Sequence, residues 1–439
     1  MKTNGIPDLR LSATSQLPKV SDFTADVFRL NNGLTVIHQY IPATPVAVVD
    51  VWVRAGATRE PEQWSGMAHF LEHMIFKGTE RVPPGMFDQV VEYWGGATNA
   101  ATSHDYAHFY ITTAVSYLED TLPYLAELLL NAAIPDEEFF RERDVVLEEI
   151  HQSQDNPDWL AFQVMMESVY QNHPYGRSVL GTEELLLQHS PEAMRCFHAC
   201  HYQPENMTVV IVGGVPQGMA LELVNNSFSG FKARSSCPPL STKILSPIKE
   251  VRRQELFLDR IEESRLLMAW TGPGVDQVRT AYGLDLISVL LAEGRCSRLV
   301  NKLREEEQLV HGVCSNFSLQ QDSSLFTITA HLEAENIEKV EAFISKYLLD
   351  LQTEPISEIE LARCKRLLCN DFAFSTESPG QLAGLYGYYN TIAQAEVAVT
   401  YPHQIQGITV EDVQQIATEF LSPHHYVVTE LKPYGEAEM

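Results

Sequence analysis

The chain has 439 residues, 45% hydrophobic and 20% charged, which fits a globular protein of two or three cored domains and excludes a disordered or fibrous one. Asp and Glu number 58 against 31 Lys and Arg, a net charge of −27; such a surface repels phosphate backbones, excludes nucleic acid as a partner and attracts cationic peptides. The first 25 residues lack the apolar core of a signal peptide and no run approaches the ~18 apolar residues of a membrane span, so a soluble, cytoplasmic protein without membrane contact is expected.

In chain order, residues 28–40 break at Asn31-Asn32-Gly33 and predict a hairpin, and the β-branched run 46–54 predicts a strand. A helix is expected over 65–78, capped by Ser65 and stopped at Gly78. Its apolar residues Met67, Phe70, Leu71, Met74 and Ile75 recur at helical spacing and form one buried stripe. His69, Glu72 and His73 fall on the other side. Two imidazoles and a carboxylate within one turn are the ingredients of a metal site that activates water, although a face turned to solvent has the same pattern.

Phe87, Val90, Val91 and Trp94 predict a second helix that stops at Gly95-Gly96. Residues 97–102 and 106–112 then predict a second hairpin around His104-Asp105. Hydrolytic zinc sites take three protein ligands and leave the fourth position to water, so a third ligand is required. The acidic helix expected over 135–153 offers several. Glu142 and Glu149 are seven apart, two turns along one face, with Val145 and Val146 between them, whereas Glu148 lies about 100° away from Glu149. A solvated helix laced with Arg141 and Arg143 is the competing reading.

The seven cysteines all lie beyond residue 195, and neither Cys196/Cys200 nor Cys364/Cys369 has a second pair at zinc-finger spacing. They read as free thiols in a reducing compartment, none of them a ligand. His104 and His108 sit on a hairpin and share no helical face, and His198, His201, His424 and His425 read as surface residues beside turns.

Residues 190–210 can be laid without gaps on 409–429, an offset of 219; each reads as a capped helix, a turn with Pro204 or Pro423, and a β-branched strand. Hairpins mixed with helices predict an α+β fold of two homologous domains of about 220 residues, each a mainly antiparallel sheet covered on one face by helices. The expected division is a catalytic domain 1–228, a Ser-, Pro- and Lys-rich linker 229–254, and a domain 255–439 whose matching helix, LDLISVLL, has no metal ligands.

With these residues assembled, the chain resembles the inverzincin metallopeptidases of the pitrilysin, insulin-degrading enzyme and mitochondrial processing peptidase family. It looks nearest to their small two-domain bacterial members. Their signature is HxxEH with a Glu ligand about 76 residues further on; His69-Phe70-Leu71-Glu72-His73 and Glu149 match it. The resemblance implies two domains facing each other as a clamshell, and one zinc ion per chain on His69, His73 and Glu149. It also implies Glu72 as general base and Glu142 as the carboxylate behind the ligands.

The stretch Gly95-Gly96-Ala97-Thr98-Asn99-Ala100 is similar to the family's substrate-binding edge strand, which implies that Asn99, Ala100, Ala101 and Thr102 hold an extended peptide. His173-Pro174-Tyr175-Gly176 and residues 202–214 are similar to further landmarks. An Arg and a Tyr seven apart are implied in the second half; Arg304 is present, and His311 stands where Tyr is expected. The implied activity is a zinc endopeptidase on peptides or unfolded, presequence-like segments, working as a homodimer or with a related chain. The alternative is a non-catalytic or partner-dependent subunit of a heterodimeric processing peptidase.

Overall fold

A computed structural model describes residues 23–240 and 245–434; the N-terminal stretch and part of the expected linker lie outside the described residues. The predicted hairpin is β1 (Asp26–Arg29) and β2 (Thr35–Tyr40), with Phe28 opposite Val36. β3 (Val46–Val53), α1 (Met67–Ile75) and α2 (Met86–Tyr93) follow. The second hairpin is β4 (Ala97–Thr102) and β5 (Ala107–Ala114). Then come α3 (Leu118–Asn131), α4 (Asp136–Asp155), α5 (Pro157–Tyr170), the short α6 (Glu183–Leu186) and α7 (Pro191–His201). β6 (Met207–Gly213) and α8 (Gln217–Ser227) close the first half.

The second half opens on β7 (Arg252–Leu258), whose first three residues fall in the expected linker, and β8 (Ser264–Gly272). α9 (Val278–Ala292), β9 (Gly312–Leu319), β10 (Ser324–Leu332) and α10 (Ile337–Thr353) succeed them. The chain continues through α11 (Glu358–Phe374), α12 (Pro379–Ile392), α13 (Val397–Gln406) and α14 (Val410–Phe420) to β11 (Val427–Pro433).

The first sheet runs β1-β2-β6-β3-β5-β4 and the second β7-β11-β8-β10-β9. Apart from β1 the two orders match strand for strand, and each has one parallel pair at the same place, β2 with β6 and β7 with β11. The remaining neighbours are antiparallel. α7 and α14 start and end 219 residues apart, and the side chains of Ser190 and Thr409 cap them by accepting from Ala193 N and Asp412 N. The fold is α+β in two related halves.

One expectation needs correction. A sheet covered on one face would alternate apolar and polar residues, yet β3 reads VAVVDVWV and is buried almost throughout. Val49, Val51 and Val53 face the core under α1 and α3, whereas Val48 and Trp52 join Val210 and Val212 in a core with Ala383, Tyr386 and Tyr389 of α12. The first sheet therefore has a second-half helix on its other face. The exchange is reciprocal: Ala161, Met165 and Met166 of α5 pack on Leu267, Ala269 and Leu431 of the second sheet. Polar contacts tie the same seam, Tyr386 Oη donating to Gln39 Oε1 at 2.7 Å and Asn390 Nδ2 to Thr208 Oγ1 at 2.8 Å. Among the described residues no helix is long and apolar enough to cross a membrane.

Candidate metal centre

α1 is held by its apolar stripe, Met67, Phe70, Leu71, Met74 and Ile75 all being buried in the first-half core. Its start differs from expectation. Gly66, with φ +90°, is the N-cap residue, and the Ser65 side chain makes no cap. A Cβ at residue 66 would also lie 2.6 Å from Leu180 O, so only glycine fits the turn. The free amides are satisfied by Glu60, whose carboxylate accepts from Gly66 N at 3.0 Å and Ala68 N at 2.7 Å. No spacing rule pointed to Glu60, because its contact is made by a loop and not by a helical repeat.

α4 packs across α1 and brings the third carboxylate to the pair of histidines. Glu149 Oε1 lies 3.6 Å from His69 Nε2, and its Oε2 lies 3.5 Å from His73 Nε2. Donors placed ~2.0–2.1 Å from a tetrahedral ion stand about 3.4 Å apart. The spacing and the two-imidazole, one-carboxylate donor set fit zinc, and one donor atom of each residue lies within 4.8 Å of the others. Of the competing carboxylates, Glu148 is exposed. Arg141 pairs outward with Glu137 and Glu138, so only part of α4 is the solvated helix of the competing reading.

Behind the pair, Glu142 Oε1 lies 3.0 Å from His73 Nδ1, while Lys77 Nζ holds Oε2 at 2.5 Å. With Nδ1 donating to the carboxylate, Nε2 is left as the free lone pair. Lys77 follows His73 by four residues and stands in the turn just past the end of α1. Burial depresses the His69 imidazole. His73 is also pulled down by burial, but in the protonated ring Nδ1 and Nε2 donate to the Glu142 and Glu149 carboxylates, which outweighs this and raises it. The bond to His73 holds Glu149 below the usual carboxylate range. The site is closed behind and open in front, His69 being nearly buried while the Glu149 side chain is 41% exposed.

Glu72 accepts from Thr102 Oγ1 at 2.5 Å through Oε2. Burial pushes its carboxyl up, opposed by the Thr102 bond and by the charges of His73 and His108. Thr102 ends β4, which forms the outer edge of the first sheet, so among the described residues Asn99, Ala100, Ala101 and Thr102 lie on an unpaired strand edge beside α1. Past Thr102 a cavity of about 380 Å³ opens between the halves, lined by Ser103, His104, Phe162, Asn316, Gln320 and Thr327 among others.

Arg304 and His311 are not joined to this cluster among the described residues. Arg304 pairs with Glu305 and His311 with Glu333, on the second half. His104 Nε2 meets Arg177 O at 3.0 Å, and His108 meets Asp50 at 3.0 Å and stacks on Trp52. The expectation that His198 and His201 are surface residues fails: His198 is buried against Leu129 O at 2.7 Å, and His201 is half-buried. His424 and His425 are exposed, as expected.

A family model described as Insulinase (Peptidase family M16) matches residues 35–183, and one described as Peptidase M16 inactive domain matches residues 189–368. The chain belongs to peptidase family M16. An M16 chain of this kind, the zinc protease PqqE of Helicobacter pylori, is 29% identical over 431 residues, 96% of this chain and 95% of its own. The uncharacterized zinc protease YmxG of Bacillus subtilis is 25% identical over 415 residues, covering 93% and 98%. The crystal structure of a protease from Helicobacter pylori matches with TM-score 0.85 at 27% identity, over 93% of this chain and 99% of that one. Pitrilysin shares the M16 fold at TM-score 0.77 and 18% identity, over 94% of this chain and 45% of that chain.

Proposed function

We propose that this M16 chain is a zinc-dependent endopeptidase that hydrolyses peptides or unfolded segments bound as an added strand along β4. The observation that carries the reading is the convergence of His69, His73 and Glu149 within 4.8 Å beside Glu72 and a free strand edge. Zinc held there by two neutral imidazoles and one carboxylate would supply a Lewis acid that lowers the pKa of water toward ~7. The protein's own part falls to Glu72. Thr102 occupies its Oε2, so Oε1 takes the proton of the attacking water and delivers it to the leaving amine. A carboxyl raised by burial is suited to that exchange near neutral pH.

β4 would bind substrate through its main chain, which reads extended shape more than side-chain identity. Arg304 and His311 would approach from the second half, leaving their present partners Glu305 and Glu333. The catalytic unit is assigned to 1–228, the linker to 229–254, the last three residues of which already run in β7, and the supporting unit to 255–439, in a cytoplasmic dimer with itself or a related chain. The net charge of −27 favours basic peptides. A Lys- and Arg-rich peptide should therefore be cleaved faster than an acidic analogue of equal length, and the gap should shrink as salt shortens the range of surface charge.

The deciding experiment is peptide-library cleavage by the full chain beside Glu72→Gln. The variant should keep its zinc and lose activity by ~10²–10⁴-fold; undiminished cleavage rejects the assignment. Full metal occupancy with no cleavage of any peptide, alone or with a related chain, would make the protein an assembly subunit.

A further inference from the structure

A second group of metal-ligating side chains forms at the C-terminal end of α7, sharing no residue with the His69 cluster. Cys200 and His201 are the last two residues of that helix, and Cys237 comes from the irregular segment after α8. One donor atom of each lies within 4.8 Å of the others. The His201 ring packs on Phe197 with centroids 4.4 Å apart, and its Nε2 is buried with no hydrogen-bond partner among the described residues. An orphaned buried nitrogen costs stability unless something completes it.

We propose that Cys200, His201 and Cys237 form a structural site for a soft divalent cation, zinc foremost, that fastens segment 229–240 to α7. Two sulfurs and an imidazole are a zinc donor set, and they answer the orphaned nitrogen and the gathered thiols together. The segment already lies along the helix: Ser235 N donates to Ala199 O at 3.4 Å, Ser235 Oγ to Cys196 O at 2.7 Å, and Gln203 Nε2 to Lys232 O at 3.2 Å. Cys196, one turn before Cys200, neighbours Cys237, so the fourth position falls to its thiol or to water. On binding, the Cys200 and Cys237 thiols lose their protons to solvent and sulfur–metal bonds form, with no change in oxidation state. The reading of these cysteines as free thiols stands, since none is in a disulfide, but the reading of none as a ligand is revised. Cysteine spacing alone missed the site because one donor is a histidine and another lies 37 residues further on.

The test is cobalt loading of the full chain under reducing, anaerobic conditions. A thiolate-to-cobalt charge-transfer band equivalent to one ion per chain is expected, a signal that two imidazoles and a carboxylate cannot give. Cys200→Ser and Cys237→Ser should abolish it, and His73→Ala should leave it. Purified protein should hold two zinc ions per chain and Cys237→Ser one. No band in the unaltered chain, a band that survives Cys237→Ser, or recovery of a Cys200–Cys237 disulfide as the main reduced-preparation species overturns the proposal. A band without peptide cleavage supports this site while rejecting the endopeptidase; cleavage without a band does the reverse.

Discussion

Glu60 shows how one buried carboxylate sets the start of the helix that carries the candidate metal centre. It is fully buried, and burial pushes its carboxyl up to about 7, against the opposing pull of the Ala68 and Gly66 amides and of Arg177. Because the folded value exceeds the ordinary 4.5, the folded chain binds this proton more tightly than the unfolded chain. The stability linked to Glu60 is therefore full below pH 4.5 and is lost as pH rises through about 7. At ~1.4 kcal/mol per pH unit the loss is roughly 3 kcal/mol. Glu60→Gln removes the titration and costs a pH-independent ~1–3 kcal/mol for one amide left without an acceptor. The unfolding free energy of the native chain minus that of the variant should fall between pH 4.5 and 8, as read by denaturant titrations; a flat difference rejects the role. His69, Glu72 and His73 were legible because helical spacing puts them on one face, and Glu149 was singled out among the carboxylates of α4 only by the family resemblance. Glu60 was not, since a loop returns it to α1 and no period records that.

At the scale of elements, α1, α4 and β4 were legible from periodicity and turn residues, whereas the edge position of β4 came only from the family resemblance and not from the residues themselves. ATNAAT has little to bury, yet nothing in it says that a neighbour is missing. Pairing fixes which groups are free. Ser103 N donates to Tyr106 O at 2.8 Å, so by the alternation of antiparallel ladders Ala101 pairs with His108 and Asn99 with Tyr110 through hydrogen bonds. Thr98, Ala100 and Thr102 then turn their main-chain groups outward. Consistent with this, the Ala100 amide is met by the Asn99 side chain at 2.9 Å and, among the described residues, by no strand. Ala100→Pro removes that outward donor at an edge, where proline is tolerated. One main-chain bond is worth about 1 kcal/mol net, so kcat/KM should fall roughly 5-fold or more with metal content and unfolding midpoint little changed. Unaltered kinetics would show that substrate does not add to this edge.

At the scale of the molecule, the half-chain repeat was visible in the sequence, but the exchange of α5 and α12 between halves was not. Both helices have the apolar residues of any buried helix, and composition does not record which sheet they cover. Gly387 marks the seam. A Cβ there would lie 2.0 Å from Trp52 Nε1 and 2.3 Å from its Cδ1. Trp52 cannot swing aside easily, being buried on β3, stacked on His108 at 4.3 Å and packed on Tyr106 at 4.7 Å. Gly387→Ala must therefore push α12 off the first sheet. Overpacking costs ~1–3 kcal/mol, which outweighs the ~1 kcal/mol that alanine gains over glycine in a helix. Gly384, one turn earlier on α12, has nothing within 4 Å of its added Cβ, so Gly384→Ala keeps the helical gain without the clash. The two substitutions make the same chemical change on the same helix, and their effects should have opposite signs: the thermal midpoint should rise for Gly384→Ala and fall for Gly387→Ala. Shifts of the same sign would mean that close approach of α12 to Trp52 is not what joins the halves.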